Sequence, residues 1–471
     1  MKRVAKSVIP MHPFNSFLNL NRFFKLSRKV CLLSAVGFTP VVASAANPAL
    51  GLLDVYQLAV TQDAQLAQAR AQYQAEQQNY ATAKAELLPK IQADASYFVA
   101  DSDQNNSDVT TRDVSLTLNQ PIYKHESWAG FELVKHSLET SDYRLQSAEQ
   151  ELILRVTESY FNALLAQKTL QLFKAKEKAD LSQLERAEAS AEVGLASRVD
   201  VLQAKSSYDL SKSERINAEN GLDISLEQLM KLTGQPVHAL KAFPVKVILP
   251  EVNINLTELE ALAEKDNLNV KLSLSQQHTA DSEIDVQKGG YWPSVNFQAK
   301  LSDTDYSDFN AGASFQDNQR TSVGVTVSLP LYSGGGTSSK VSAARYQLVA
   351  AKEALRNSQE EARLNVRLQA RNLERGGSLV AALQEAVNSN DAFVEAAEEG
   401  YNVGLKSLLE VLSARSNQTA ARKNLVEAMH NQVLHKLRLE SAIGDLNTDD
   451  LKAFDRLLQA SEVIRVDEPV K

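Results

Sequence analysis

Very little in this sequence can support covalent chemistry. Cys31 is the single cysteine among 471 residues. The six histidines from His125 onward show no metal-ligand spacing along the chain, and neither a nucleophile motif nor a glycine-rich phosphate loop is present. The sequence therefore predicts that the protein is not an enzyme and that it carries no catalytic residues, cofactor or metal.

Proline is missing from two long stretches. None occurs between Pro121 and Pro236 or between Pro330 and Pro469. Because a proline inside a helix costs about 3 kcal/mol, these gaps favour uninterrupted helices. At about 1.5 Å per residue each helix would be roughly 100 Å long, which excludes a compact globule.

The first 45 residues differ in composition from the rest. A basic pair precedes a short apolar run at 30–38, which leads to a small-x-small cleavage site at Ala43-Ser44-Ala45. The sequence therefore predicts a signal peptide at 1–45 and export from the cytoplasm. Its removal takes away seven Lys or Arg and no acidic residue, so the formal net charge falls from −8 to about −15. This acidity argues against nucleic acid as a partner.

The chain repeats its own pattern after about 210 residues, which is far longer than a solenoid repeat. Val-Gly-Leu at 193–195 returns at 403–405, and Leu-Pro at 88–89 returns as Trp-Pro at 292–293. The sequence therefore predicts a duplicated domain. The predicted segments are a first repeat at 46–234, a linker at 235–256, a second repeat at 257–444 and a C-terminal tail at 445–471.

Each repeat is expected to run helix, strand pair, very long helix, tip and helix. The expected strands lie at about 90–100, 112–122, 294–302 and 320–332, the long helices at about 126–192 and 338–402, and the helices after the tips at about 198–234 and 408–443. The fold class is therefore mainly α with a small β part.

Apolar residues on the first long helix follow two seams. One seam passes through Ile153, Val156 and Tyr160, spaced three and four apart, and the other passes through Leu154 and Phe161 on a neighbouring face. A two-stranded coiled coil needs only one seam, whereas a helix in a ring contacts a neighbour on each side. The pattern favours the ring over an ordinary coiled coil.

Apolar residues alternate with small or polar ones at 114–118 and 323–327, as in a sheet with one apolar and one polar face. Segments of about ten residues fit tilted strands that cross an outer membrane. Four strands cannot close a barrel, and an open sheet edge is unstable in hydrocarbon. Several copies must therefore share one barrel, and both two chains with eight strands and three with twelve satisfy this geometry.

Aromatic side chains are few, at 6% of the residues, but several gather where the predicted strands meet the helices. Amphipathic rings favour the membrane interface, so this group predicts an interfacial girdle, with a small core at the junction as the alternative. Its members are Tyr123, Trp128, Tyr291, Trp292 and Tyr332.

Together these features resemble the TolC family of outer-membrane export channels. The resemblance spans about 52–446 and is carried by the doubled Val-Gly-Leu-x-x-x-x-Asp/Glu-Val-Leu tips, the Pro-Leu-Tyr-Ser-Gly-Gly turn at 330–335 and the two strand pairs. It implies a homotrimer in the outer membrane, with a twelve-stranded barrel continued by a twelve-helix tunnel of antiparallel coiled-coil helices through the periplasm. It also implies an exit duct for drug efflux or type I protein secretion, with a periplasmic adaptor protein and an ABC, RND or MFS inner-membrane pump as partners.

Gly194 and Gly404 each follow a long helix, and glycine can adopt the left-handed conformation that ends one. In the TolC family such tips face the adaptor. The resemblance therefore implies that the docking residues are Val193, Gly194, Leu195, Ser197, Val403, Gly404, Leu405 and Ser407.

The resemblance also implies a gate at the periplasmic entrance. Family members close it with an arginine that holds a carboxylate and a hydroxyl on the neighbouring first tip; the matching positions here are Lys406, Asp200 and Val199. Lysine lacks the planar fork of arginine, so a weaker tether is expected, with a Lys406–Glu410 helix pair as the alternative. The implied gate residues are Asp200, Tyr401, Lys406, Glu410 and Ser413, of which Glu410 supplies one carboxylate ring and Ser413 falls on a missing second ring.

The main competing function is structural: a non-conducting coiled-coil tether across the periplasm, or a trimeric adhesin. Such proteins carry one anchor at a single end, whereas this chain passes through the strand region twice. A self-contained porin fails on strand count. The sequence therefore favours the export channel.

Overall fold

The computed structural model describes residues 49–102, 107–241, 255–308, 316–459 and 463–465. The predicted signal peptide, most of the linker and the end of the tail lie outside these ranges. The first half contains α1 (Leu52–Gln62), α2 (Ala64–Ala85), β1 (Lys90–Ser102), β2 (Ser107–Lys124), α3 (His125–Glu192) and α4 (Arg198–Thr233). After β3 (Ala239–Lys241), the second half contains α5 (Leu256–Asp266), α6 (Leu268–Lys288), β4 (Ser294–Asp308), β5 (Gln316–Ser328), α7 (Gly336–Asn402) and α8 (Leu408–Ile443), followed by α9 (Thr448–Gln459) and β6 (Val463–Arg465).

The segment before each strand pair is two helices, where the sequence predicted one. Asp63 ends α1 and caps α2, because its carboxylate accepts a hydrogen bond from the Leu66 N–H at 2.7 Å. Asn267 does the same between α5 and α6, accepting from the backbone N–H groups of Asn269 and Val270. Short polar side chains that bond the following backbone start a new helix in this way, so the single-helix prediction was wrong at both places.

The helices α3 and α7 contain 68 and 67 residues, which corresponds to about 100 Å each. Near the sheet α3 packs against α2 and α6, and further along it packs against α4 and α8. Residues from both predicted seams, among them Val156 and Phe161, are buried. Among the described residues, no helix combines the length and the apolar character that crossing a membrane would require.

The largest hydrophobic core lies where α1, α3, α4, α8 and α9 meet, about midway along α3. Tyr160 is fully buried there, and its hydroxyl lies 2.6 Å from the Lys241 carbonyl oxygen and 3.1 Å from that of Leu50. The small sheet of β3 and β6 closes this region, with Leu50 forming an isolated bridge to Leu240. The C-terminal tail contributes Leu451 to the core, so the two chain ends of the described part are held together here.

The four long strands form one antiparallel sheet in the order β1-β2-β4-β5. β2 and β4 extend further than predicted, and β5 ends at Ser328 and not near 332. The early end has a physical cause: Ser328 pairs with Ser294, the first residue of β4, so the chain beyond it has no partner strand. Pro330 also lacks the N–H that would continue a ladder.

Candidate functional site

The two faces of the sheet differ in chemistry along its whole width. One cross-strand row runs Ile91, Leu118, Ala299 and Val323, and the next row, on the opposite face, runs Gln92, Thr117, Lys300 and Ser322. Successive side chains of a strand point to opposite faces, so the register collects the apolar residues on one side. Large side chains of the apolar face that are exposed in the single chain are Ile91, Tyr97, Val99, Val114, Leu116, Leu301, Val323, Val325 and Val327.

The sheet also has two open edges. Among the strands that the structure describes, β1 pairs only with β2 and β5 pairs only with β4. A strand edge presents unpaired N–H and C=O groups that can join another strand. The sheet is therefore uncovered on its apolar face, and its two edge strands, β1 and β5, each have one unpaired edge.

The two tips have nearly the same backbone. Gly194 and Gly404 both have φ of +78°, a conformation that strongly favours glycine. In each tip the backbone N–H of the residue after the glycine donates a hydrogen bond to a carbonyl oxygen of the preceding long helix. Leu195 donates to the Ser190 oxygen at 2.8 Å, and Leu405 donates to the Gly400 oxygen at 2.7 Å. Duplication has thus preserved the turn itself as well as its sequence.

Each tip exposes two apolar side chains to solvent. Val193 and Val403 are each 70% exposed, and Leu195 and Leu405 are 84% and 81% exposed. Exposed apolar groups at the end of a helical hairpin have no role in the fold of the single chain, and they mark a surface that is suited to a partner.

Ser197 and Ser407, the last two predicted tip residues, begin the helices that follow. The Ser197 hydroxyl oxygen accepts a hydrogen bond from the Asp200 N–H, and the Asp200 carboxylate accepts from the Ser197 N–H at 2.9 Å; Ser407 and Glu410 form the same reciprocal capping box. This role was not predicted from the sequence, although Ser-x-x-Asp and Ser-x-x-Glu are its recognisable signature. Asp200 and Glu410 therefore fix the two helix starts.

Lys406 contacts Glu410 within its own tip. Its Nζ lies 2.6 Å from Glu410 Oε1, and its side-chain stem crosses Gly400, where a Cβ atom would approach Lys406 Cγ to 2.6 Å. The hydrogen bonds from Lys406 and Ser407 lower the pKa of Glu410 to about 2. In the single chain Lys406 thus pairs with Glu410, the alternative partner predicted from the sequence, although Lys406 itself precedes the helix that begins at Leu408.

The remaining gate positions separate into packed and exposed ones. Tyr401 packs against two small apolar clusters, one joining α3, α4 and α8 and the other joining α7 and α8. Val199 is 60% exposed, and Ser413 is also exposed. Hydrogen bonds from the Ser197 side chain and backbone lower the pKa of Asp200, so its carboxylate is charged at neutral pH.

The predicted aromatics lie at the junction between strands and helices. Tyr123 is half-buried near the end of β2, whereas Trp128, Tyr291 and Trp292 are each a little over half exposed. Trp292 stacks on His125 with ring centroids 5.3 Å apart. Tyr332 is 89% exposed and lies in the irregular segment after β5, so it stands apart from the sheet.

The model of the outer membrane efflux protein family matches this chain at residues 55–235 and 261–445. The chain belongs to that family. Both matched ranges contain a strand pair, a long helix and a tip, in agreement with the duplication read from the sequence.

The chain is similar to characterised members of the outer membrane efflux protein family. It is 30% identical to the outer membrane protein TolC of Escherichia coli over 436 residues, covering 90% of this chain and 87% of TolC. It is 28% identical to the proteases secretion protein PrtF of Dickeya chrysanthemi, covering 93% and 97% of the two chains. These findings confirm the predicted family, the outer-membrane location and the role as an efflux or secretion channel.

The fold agrees with solved channels of the efflux protein family. The Campylobacter jejuni CmeC outer membrane channel matches with a TM-score of 0.74, at 18% identity and with 87% of this chain and 90% of CmeC covered. At this identity the match shows the fold alone. The mainly helical architecture with a small antiparallel sheet is thereby confirmed.

Proposed function

We propose that three copies of this chain form one continuous tunnel, with a twelve-stranded barrel in the outer membrane and a twelve-helix wall below it. The observation that carries the proposal is the sheet, which has one apolar face and two unpaired edges. If β5 of one copy pairs with β1 of the next, every edge is satisfied and the apolar face meets lipid. Twelve strands leave a lumen lined by the polar face, whereas eight would be filled by side chains.

Exposed apolar side chains on the helices also support association between copies of the chain. Apolar side chains are exposed on α4 at Leu202 and Leu210 and on α7 at Leu364 and Phe393. These two helices belong to different repeats, and each lacks a neighbour on its exposed side among the described residues. In a ring of copies, helices of the neighbouring copies would cover the exposed apolar side chains of α4 and of α7.

Transport in this proposal is passive, and the energy comes from a periplasmic adaptor protein and an inner-membrane pump. The direct test is electrical. Purified protein reconstituted in planar lipid bilayers is expected to give discrete, long-lived conductance steps. A preparation that assembles and inserts but stays silent would instead favour a non-conducting tether.

We propose that the periplasmic entrance is gated by Asp200, Tyr401, Lys406, Glu410 and Ser413. Both carboxylates are charged at neutral pH, so three copies around one axis would form a negative constriction that favours cations. Lys406 offsets part of that charge through its contact with Glu410. A contact through a single ammonium group, without the planar fork of arginine, suits an entrance that must open.

The substitution Lys406→Glu is expected to raise single-channel conductance by about twofold or more, because it breaks the contact with Glu410 and adds repulsion between copies. Asp200→Ala should act in the same direction, because it removes the carboxylate that Lys406 of a neighbouring copy would hold in the proposed closed entrance. Ser197→Ala is the matched control, since it weakens the cap of the same helix but leaves the carboxylate in place. Single-channel recordings in planar bilayers measure all three; unchanged conductance in both charge variants would remove these residues from the gate.

We propose that an adaptor protein docks on the two tips, through Val193, Leu195, Val403 and Leu405 around the glycine turns. The proposal is supported by the exposure of these side chains and by the shared backbone of the tips. Two equivalent tips per chain would present six similar contact points in a trimer. Ser197 and Ser407 hold the turns in shape through their capping boxes.

The substitution Gly404→Pro is expected to weaken adaptor binding at least about tenfold, because proline fixes φ near −65° and cannot reproduce the +78° of this turn. Gly404→Ala is the milder control: its Cβ meets no atom within 4 Å, so only backbone strain of about 1–2 kcal/mol acts. Binding is measured by surface plasmon resonance against an adaptor that binds the wild-type chain. Full affinity in a correctly assembled proline variant would count against tip docking.

A further inference from the structure

Two histidines from different repeats meet at the interface between α3 and α6. His136 lies on α3, eleven residues after the helix begins, and His278 lies on α6, ten residues before that helix ends. Both positions are therefore roughly 15 Å from the sheet, measured along their helices. The imidazole rings of the two residues approach with their centroids 5.7 Å apart and tilted by 57°. Residues 142 positions apart in sequence show no ligand spacing, and only the fold brings them together.

A glutamate completes the group. Glu139 is three residues after His136 and so faces the same side of α3. Each of the three side chains offers a ligand atom, and these atoms all lie within 4.8 Å of one another. Among the described residues this is the only such group of three or more His, Cys, Asp or Glu side chains.

The spacing of the ligand atoms fits a small cation. His136 Nδ1 and Glu139 Oε2 are 3.6 Å apart. That separation is too long for a hydrogen bond, but it is close to the roughly 3.3 Å between two tetrahedral ligands that each lie about 2.0–2.1 Å from Zn²⁺. His136 Nδ1 is buried from solvent and has no hydrogen-bond partner within the described part of the chain. A buried ring nitrogen without a hydrogen bond raises the free energy of the folded protein, and coordination to a metal would remove this penalty.

The backbone beneath the three ligands is held in register. Thr140 Oγ1 and Ser275 Oγ share a hydrogen bond of 2.8 Å across the interface, and both residues are buried. The Ser275 hydroxyl also lies 3.3 Å from the carbonyl oxygen of His136. Ser275 and His278 are one helical turn apart, so this contact sets the height of His278 relative to His136. The side chains of Glu139 and His278 are exposed, so an ion can reach the cluster from solvent.

We propose that His136, Glu139 and His278 bind a late first-row divalent cation, with Zn²⁺ as the best fit. Two imidazoles and one carboxylate suit Zn²⁺, Cu²⁺ or Ni²⁺, whereas Ca²⁺ and Mg²⁺ prefer oxygen ligands alone. Three protein ligands leave a fourth position for water. The ion ties the first repeat to the second just below the sheet. This role does not depend on the trimer, the gate or the adaptor.

The test is Zn²⁺ binding to the purified, chelator-stripped full chain in detergent, measured by isothermal titration calorimetry. We expect one Zn²⁺ per chain with a Kd on the order of 1–10 μM. His278→Gln removes a ligand from an exposed position, so the variant should fold, and circular dichroism checks this. Its Kd is expected to rise at least about 100-fold, since even outer-sphere contacts of a metal cost 10–100-fold. His435→Gln is the matched control, because it removes a histidine that contacts Gln369 and not the cluster.

A second readout separates a built site from loose surface binding. Co²⁺ bound to the wild-type chain is expected to give the visible absorption of a tetrahedral or five-coordinate centre, and Glu139→Gln should change that spectrum. An excess of Mg²⁺ should not displace Zn²⁺. Equal Zn²⁺ affinity in the wild-type chain and His278→Gln, or saturation only above about 1 mM, would overturn the proposal.

Discussion

Replacing Leu116 by arginine is expected to stop the protein from inserting into lipid bilayers. Leu116 lies in β2, between Ala93 of β1 and Leu301 of β4 on the apolar face of the sheet, and it is 45% exposed in the single chain. An arginine on the lipid side of a membrane strand costs about 2–4 kcal/mol near the bilayer midplane. In a threefold assembly the penalty acts three times, so assembled protein in outer-membrane fractions should fall at least tenfold.

The neighbouring residue provides the matched control. Thr117 follows Leu116 in the same strand and is opposite Gln92 and Lys300 on the polar face. Thr117→Arg adds the same side chain at the same depth, but on the face that we assign to the lumen. It is expected to assemble normally and to alter ion selectivity. Equal loss of assembly in both variants would show that the two faces do not meet different solvents.

Replacing Tyr160 by alanine is expected to lower the free energy of unfolding of the protein strongly. Tyr160 is fully buried in the largest cluster and packs edge-on against Phe161, with ring centroids 5.7 Å apart. Removing a buried aromatic ring costs about 3–5 kcal/mol. The carbonyl groups of Leu50 and Lys241 also lose the hydroxyl that lies beside them. The midpoint of denaturant unfolding, followed by circular dichroism, measures the effect.

Tyr160→Phe separates the ring from the hydroxyl. It keeps the packing but removes the hydroxyl from the carbonyl groups of Leu50 and Lys241, and a lost hydrogen bond costs about 0.5–1.5 kcal/mol. The hydroxyl ties α3 to the segment before α1 and to the last residue of β3, so the phenylalanine variant should also expose Leu50 and Lys241 to faster hydrogen exchange. If alanine and phenylalanine lowered the midpoint equally, the packing of the ring would not be the main source of stability.

The features set by local patterns could be predicted from the sequence. The gaps in proline indicated two long helices, and the structure has them as α3 and α7. The alternation at 114–118 indicated a sheet with unlike faces, and the register of β1, β2, β4 and β5 shows the same division. The glycines at 194 and 404 indicated turns, and both have positive φ. Each of these depends on residues that are near one another in the chain.

Features that depend on a choice between partners were predicted less well. Asp63 could have continued a helix, and its carboxylate instead caps the next one while accepting from Arg155 on α3. Lys406 had two acidic candidates, and in the single chain it contacts the nearer one, Glu410. The meeting of His136 and His278 requires the packing of α3 on α6. Such pairings follow from the tertiary fold, which local sequence patterns do not specify.

In the proposed tunnel one chain supplies a third of a closed wall. Native mass spectrometry of detergent-extracted protein tests it most directly, since each polypeptide including the first 45 residues has a mass of 51.8 kDa and a trimer has three times the mass of whichever form of the chain is isolated. We expect a single dominant species of three chains that persists upon mild heating. A stable monomer, or a dimer with an eight-stranded sheet, would contradict it.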